Sequence, residues 1–168
     1  MGEFRYLPAA VHRAAREAAD DGAAAIRHLR WAAACAERAL PVFEQHYPHD
    51  TRPRNAVATA RQWLDAYPGR GHVDLTDAAW AAEEARGEAA DPAARAAAEA
   101  AAETTWAVRG FCTAEWAGVY VERAIQAAQA AVAAAESEAG NGQAEQDWQL
   151  AQLAEAQGSP LAPLPPPA

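Results

Sequence analysis

Apolar residues recur at helical intervals along most of this chain. Over residues 23–47 they follow one another at alternating steps of three and four, which predicts an amphipathic helix with one buried stripe. The stripe comprises Ile26, Leu29, Ala33, Ala36, Leu40, Phe43 and Tyr47. Pro41 lies inside the segment and predicts a kink or the start of a new helix, whereas Pro48 ends it.

Capping and turn-forming residues predict three shorter helices. The first spans residues 9–19. The second follows Asp50 or Thr51, either of which can cap it through a side-chain oxygen. The third has a cap within Asp74–Asp77, extends to about residue 88 and carries Trp80.

A long helix is predicted to begin at the aspartate–proline pair 91–92, which is typical of a cap followed by a first turn. The apolar spacing continues past Gly110 without a change, so we expect one continuous or mildly kinked helix that ends at Gly140. A last helix is predicted over residues 143–156. The proline-rich residues 157–168 are expected to form a disordered tail.

Alanine accounts for 51 of the 168 residues, and it is the residue with the highest helix propensity. Together with the apolar spacing, this composition predicts an all-α, single-domain bundle of five or six helices over residues 1–156, with a long alanine-rich C-terminal helix. Because alanine side chains are short, we expect closely packed helices and a core in which tryptophans fill much of the remaining space.

Missing residue types exclude several kinds of chemistry. The chain has 14 arginines and no lysine, so it cannot contain a phosphate-loop lysine or a lysine that forms a Schiff base. Its only serines, Ser137 and Ser159, lie near the C-terminus, which makes a serine hydrolase improbable. The absent lysine and the abundant alanine are also typical of a bacterial genome rich in G and C.

The net charge of -9 is concentrated in the second half of the chain. Residues 1–70 contain ten arginines against eight acidic residues, and residues 71–168 contain four arginines against 15 acidic residues. Since phosphate repels carboxylates, nucleic acid is not expected as a partner. The acidic half is either a solvated surface or a face that docks on a basic partner.

The number of cysteines and the hydropathy of the chain indicate where in the cell the protein is located. Cys35 and Cys112 are too few for a disulfide framework, which is typical of a reduced, cytoplasmic protein. The N-terminus lacks the pattern of a signal peptide, and charges interrupt every alanine run. No contact with a membrane is therefore expected.

Three groups are candidates for acid–base catalysis, namely Glu37, Glu115 and His46. The two glutamates flank predicted seams, where charges more often form interhelical pairs than catalytic sites. His46 has the spacing of a metal ligand relative to His49 and Asp50, but a proline ends the helix between them. No metal and no other cofactor is therefore expected, and enzymatic activity stays undecided.

Two groups of residues are candidates for binding a ligand or a partner. The aromatic group either fills gaps in an alanine core or forms an aromatic-lined pocket or hot spot. It contains Trp31, Trp63, Trp106, Trp116 and Tyr120. The charged group comprises Asp50, Arg52 and Arg54. It either caps the helix that follows Thr51 and forms salt bridges there, or contacts an anion.

The segment Cys35–Leu64 resembles the opening motif of the immunity-five-like family of bacterial immunity proteins. In that motif a W-A-x-x-C-A-E helix leads to an F-E-x-x-Y-P turn, a D-x-R-P-R segment and an A-R-x-W helix end. The matching residues are Trp31, Cys35, Glu37, Phe43, Glu44, Tyr47, Pro48, Asp50, Arg52, Pro53, Arg54, Ala60, Arg61 and Trp63. Glu145–Leu153 resembles the family's terminal E-x-E-W-Q helix, so the resemblance spans roughly residues 25–155.

The resemblance implies a non-enzymatic binding protein of immunity type that sequesters a protein toxin or another partner. The chain departs from the family at residues 106–112 and at Trp116, where large aromatic residues replace small residues and a histidine. This difference indicates a divergent or repurposed member. The alternatives are a natural-product resistance or tailoring protein that binds a small-molecule ligand in an aromatic-lined pocket, and a scaffold that forms a homodimer through its long helix.

Overall fold

The computed structural model describes residues 22–67, 74–113 and 119–158. Over these residues the chain folds into one domain of six α-helices, which confirms the predicted all-α bundle. The helices are α1 (Gly22–His46), α2 (Arg52–Ala66), α3 (Leu75–Glu88), α4 (Pro92–Thr113), α5 (Val119–Ala139) and α6 (Gly142–Gly158). None of these helices is long and apolar enough to cross a membrane.

Some predicted features lie outside the described residues. They are the helix over residues 9–19, Glu115, Trp116, the side chain of Tyr120 and residues 159–168 of the expected tail. Residues 157 and 158 belong to the last turn of α6, so the helix extends slightly beyond its predicted end.

Helix α1 lies at the centre of the bundle, where it packs against α2, α4, α5 and α6. The predicted stripe from Ile26 to Phe43 is buried, and Tyr47 packs against its end in a partly buried position. Pro41 lies within α1 at an exposed position, where water can bond the backbone carbonyl that a proline leaves without a partner. No new helix starts at Pro41, so α1 runs on to the corner it forms with α2.

The helix starts follow the predicted caps with one exception. Asp74 and Asp91 each accept a hydrogen bond from the backbone N–H three residues further on, at 3.0 and 2.9 Å. Thr51 occupies the cap position of α2, but its side chain makes no capping bond. Asp50 accepts from the backbone N–H of Arg52 instead, at 3.1 Å, because the same carboxylate also binds the Arg52 guanidinium.

The helix that begins at Pro92 runs through Gly110 as predicted, but the prediction that it continues to Gly140 is wrong. The segment forms two helices, α4 ending at Thr113 and α5 beginning at Val119, and they pack against each other. A salt bridge of 2.9 Å joins Glu103 on α4 to Arg123 on α5. One straight helix over this length would extend about 70 Å and leave its apolar stripe uncovered, whereas two packed helices cover each other.

Alanines make up most of the buried residues of α4 and α5, two helices that pack against each other. The buried alanines of α4 are Ala93, Ala94, Ala97, Ala98, Ala100, Ala101, Ala102 and Ala107, and those of α5 are Ala124, Ala127, Ala128, Ala130, Ala131 and Ala134. Side chains of this size allow the helix backbones to approach closely. The alanine excess is therefore located mainly in this helix pair and on α1.

Helix α6 packs on α1 and α5 through buried polar contacts. The indole Nε1 of Trp31 donates to the backbone carbonyl of Gln149 at 2.9 Å. The fully buried side chain of Gln149 donates through Nε2 to the carbonyl of Ala128 at 3.0 Å. At the edge of the contact, Arg38 pairs with Glu145 at 2.9 Å. Because these bonds are directional, they fix the position of α6 more narrowly than apolar packing alone.

Candidate functional site

Two bidentate ion pairs join α1 to α2, and we call them the ion-pair ladder. Arg61 donates to both carboxylate oxygens of Glu37, at 2.7 and 3.0 Å. Arg54 binds both oxygens of Glu44 in the same way, through Nε and, at 2.8 Å, through Nη2. The glutamates are two helical turns apart on α1, and the arginines are two turns apart on α2, so both pairs lie along one face. The motif residues at these positions therefore hold two helices together.

The ladder bears directly on Glu37 as a catalytic candidate. A general base needs a carboxylate oxygen that can reach a substrate proton. Both oxygens of Glu37 are occupied by one guanidinium, and most of the side chain is covered. The structure therefore places Glu37 in a structural pair, which was the more common of its two predicted roles.

We expect a double-mutant cycle on Glu37→Gln and Arg61→Ala to give a coupling free energy of about 1 kcal/mol, near the top of the range for partly exposed pairs. Urea unfolding of the four proteins measures it. The matched control is the i, i+3 pair of Glu83 and Arg86 on α3, 2.7 Å apart, which should couple by only about 0.3 kcal/mol. Equal coupling in both cycles would show that the bidentate geometry adds nothing.

Arg52 occupies the corner between α1 and α2 and binds several carboxylates. Its Nη2 donates to Asp50 at 2.7 Å and also bonds Glu88 at the end of α3. The guanidinium lowers the pKa of the Asp50 carboxyl below its usual range, mainly by hydrogen bonding to the charged form. Arg54 is likewise bound to Glu44. The predicted cluster therefore acts as a bridge between helices, and these partners compete with any external anion.

An open depression of about 530 Å³ lies at this corner. It is lined by His46, Tyr47, Pro48, His49, Asp50 and Arg52. The Tyr47 hydroxyl accepts a hydrogen bond of 2.9 Å from the backbone N–H of Ala90, which ties one wall of the depression to the segment before α4. The depression is therefore a shallow surface feature with a fixed wall.

His46, the third catalytic candidate, lies beside the depression between two carboxylates. Its Nε2 is 3.0 Å from Glu138 Oε2 and 3.6 Å from Asp91 Oδ1. The hydrogen bond to Glu138, with the charge of Asp91, raises the pKa of His46. His49 and Asp50 are the ligand partners that local spacing gives to His46, whereas the structure brings His46 to Asp91 and Glu138, which are far away in the chain.

The described tryptophans divide into buried and accessible rings. Trp31 is fully buried in the core, and Trp63 packs against Tyr67 and Phe111 with ring centroids 5.7 and 5.9 Å away. Trp106 is partly buried beneath Trp80, edge to face at 5.3 Å. The ring contacts of the described residues therefore place Trp31, Trp63 and Trp106 in separate groups.

Trp80 lies on α3, as the sequence predicts, but it is not among the predicted binding residues. Its side chain is 58% exposed, and it is the large apolar residue most open to solvent among those described. The residues three and four positions away on α3 include Asp77, Glu83 and Glu84. We call the surface formed by Trp80, Trp106 and the acidic residues Asp77, Glu83 and Glu84 the Trp80 face. Helical spacing alone could have identified it, since no apolar stripe of α3 includes position 80.

Arginines support the Trp80 face from below. The guanidinium carbons of Arg109 and Arg123 lie 5.6 and 5.8 Å from the centre of the Trp106 ring, within the range of a cation–π contact. Arg109 also donates to the Thr76 hydroxyl at 2.8 Å, which links α4 to α3. The exposed indole therefore stands on a layer of side chains that are held in place.

Comparison with known proteins gives one match. The family model described as "Imm-5 like putative immunity protein" matches residues 27–156, which includes the ion-pair ladder, the corner depression and the Trp80 face. No curated protein and no solved structure matches the chain significantly. The matched region agrees with the span over which the sequence resembles the immunity-five-like family.

Proposed function

Because this chain belongs to the Imm-5 like family of immunity proteins, we propose that it binds a protein toxin and neutralises it, with the Trp80 face as the docking surface. Family membership supports an immunity role with a protein partner. The choice of surface rests on one observation, which is the exposure of the Trp80 indole among charged side chains.

Single exposed apolar residues are common on protein surfaces, but an indole offers a partner a large apolar area together with one hydrogen-bond donor. Tryptophan and arginine are the residues most enriched in the energetic centres of protein interfaces. Trp80 stands on Trp106, which itself contacts Arg109 and Arg123, so little freedom is lost when a partner covers it. The face therefore has the composition and the rigidity of an interface centre.

The charges around Trp80 indicate what the partner surface should contain. Asp77 and Glu84 are exposed, although Glu84 Oε2 also lies 3.9 Å from Arg52 Nη1, and Glu83 is paired with Arg86 at 2.7 Å. A complementary surface would present an apolar cleft for the indole with cationic groups opposite Asp77 and Glu84. The overall charge of -9 would speed the approach of a basic toxin at low salt. We infer that the toxin is basic at its contact surface.

The toxin can be identified by expressing each protein encoded beside this chain's gene, with and without the chain. We expect one neighbour to arrest growth alone and to be tolerated in the presence of the chain. A toxic neighbour that arrests growth equally in both cases, or the absence of any rescued neighbour, would contradict the proposed function.

With the purified pair, Trp80→Ala is expected to weaken binding by at least about tenfold, because truncating an interface tryptophan commonly costs more than 1 kcal/mol. Isothermal titration calorimetry measures the dissociation constant, and thermal unfolding confirms that the variant is folded. Gln126→Ala, at an exposed position on α5, is the control and should bind as the wild type does. If the Trp80→Ala variant binds the toxin as tightly as the wild type does, the docking surface lies elsewhere on the protein.

A further inference from the structure

Three residues distant in sequence meet at the helix ends beside the corner depression, and they include a histidine and two carboxylates. His46 is the last residue of α1, Asp91 immediately precedes α4, and Glu138 lies next to the last residue of α5. The geometry points to a binding site for a divalent transition-metal ion such as Zn²⁺, held by His46, Asp91 and Glu138. This site is separate from the Trp80 face and does not depend on toxin binding.

The distances suit a metal polyhedron. Each of the three side chains offers one ligand atom, and these atoms all lie within 4.8 Å of one another. The His46 nitrogen is 3.0 Å from Glu138 Oε2 and 3.6 Å from Asp91 Oδ1. Ligands bound to Zn²⁺ at about 2.0–2.2 Å lie about 3.0–3.6 Å from each other in octahedral or tetrahedral geometry. Both distances from the His46 nitrogen fall within this range.

The site is held in place by bonds that do not involve a metal. Asp91 accepts from the backbone N–H of Ala94 at 2.9 Å, which orients its carboxylate. The bond from Ala90 to the Tyr47 hydroxyl fixes the residue before Asp91 against the residue after His46. Such supporting contacts are a general feature of metal sites, because they fix ligands before the ion arrives.

The donor set indicates the kind of ion. One imidazole with two carboxylates is a nitrogen and oxygen set that suits Zn²⁺ and related ions better than Ca²⁺ or Mg²⁺, which prefer oxygen alone. Three protein ligands leave at least one coordination position open. His46 also lines the depression of about 530 Å³, so solvent or a further ligand can reach that position.

The charges of the three side chains favour a bound metal cation over an ion pair among the side chains alone. A protonated His46 balances one carboxylate, yet Asp91 and Glu138 both lie against the same ring nitrogen. One divalent ion would balance both carboxylates and leave the imidazole neutral, which is the form that binds metal. The three side chains therefore suit a divalent metal ion. The alternative is an ion pair among the three residues alone, and titration with a metal distinguishes the two.

The test uses the full chain, freed of metal by dialysis against a chelator and titrated with Zn²⁺ in a calorimeter. We expect one Zn²⁺ per chain. Glu138→Gln and His46→Gln should each weaken the affinity by at least about tenfold, since even the loss of a supporting residue outside the ligand set costs that much. Glu122→Gln, the same substitution at an exposed position on α5, should leave the affinity unchanged.

Two further measurements keep the result unambiguous. Cys112 is exposed and could bind zinc by itself, so Cys112→Ser should retain the wild-type affinity. Zn²⁺ should also raise the unfolding temperature of the wild type but not that of Glu138→Gln, because a ligand stabilises only the fold that binds it. A stoichiometry well below one, or an affinity that neither Glu138→Gln nor His46→Gln changes, would overturn the site and leave an ion pair.

Discussion

Trp31→Ala is expected to lower the free energy of unfolding by about 3–5 kcal/mol, the largest effect of any single substitution considered for this protein. Trp31 is the largest fully buried side chain of the described residues, in a core otherwise made mostly of alanine. Small neighbours have few atoms that can move into the space it leaves. Its indole also donates to the carbonyl of Gln149, so the variant loses a contact between α1 and α6.

Urea unfolding measures this loss, and two further variants separate its causes. Trp31→Phe keeps an aromatic ring but leaves the buried Gln149 carbonyl without its donor, which should cost about 1–3 kcal/mol. Trp80→Ala removes an exposed indole and should change stability by no more than about 0.5 kcal/mol. If Trp31→Ala and Trp80→Ala were equally mild, Trp31 would not be the centre of the core.

The second large effect concerns pH, and it arises from His28. Burial lowers the pKa of the His28 imidazole from 6.5 to about 4, because the ring lies against Trp31 and its Nε2 has no hydrogen-bond partner. Between these values the unfolded chain binds a proton that the folded chain does not. The contribution of the neutral His28 ring to the free energy of unfolding should therefore be complete above about pH 6.5. It should fall as the pH drops and level off below about pH 4.

From about pH 7.5 to about pH 5, His28 should account for a loss of about 2 kcal/mol. His28→Leu removes the titrating group. Between these two pH values its free energy of unfolding should therefore fall by about 2 kcal/mol less than that of the wild type. Urea unfolding at the two pH values provides the comparison. His49→Gln, at an exposed histidine, is the control and should keep the wild-type pH dependence. A parallel fall in the wild type and His28→Leu would rule out His28 as the source.

Apolar spacing was sufficient for the elements whose partners are local. The stripe of α1 and the caps at Asp74 and Asp91 depend on residues within one helix or one turn, and each was predicted correctly. The failure to predict that the chain forms two helices, one ending at Thr113 and the next beginning at Val119, has a different origin. The same spacing continues on both sides of the break between α4 and α5, so periodicity could not show that the chain divides there.

The candidate sites were predictable to a smaller extent. The sequence placed Asp50, Arg52 and Arg54 together, and the structure shows them bridging helices. The meeting of His46 with Asp91 and Glu138 could not be foreseen, because it depends on how three helix ends are arranged in space. The exposure of Trp80 could have been predicted from helical spacing, because the residues three and four positions away from it on α3 are all polar.

The alanine contact between α4 and α5 limits how this protein can change. An alanine side chain has no rotamers to choose from, so a mutation there cannot be absorbed by neighbouring side chains turning aside. Any larger residue has to push the two helix backbones apart. Substitutions that leave the fold intact are thereby confined mainly to the outer surface, where Trp80 and the charges around it can be exchanged without moving the helices that carry them.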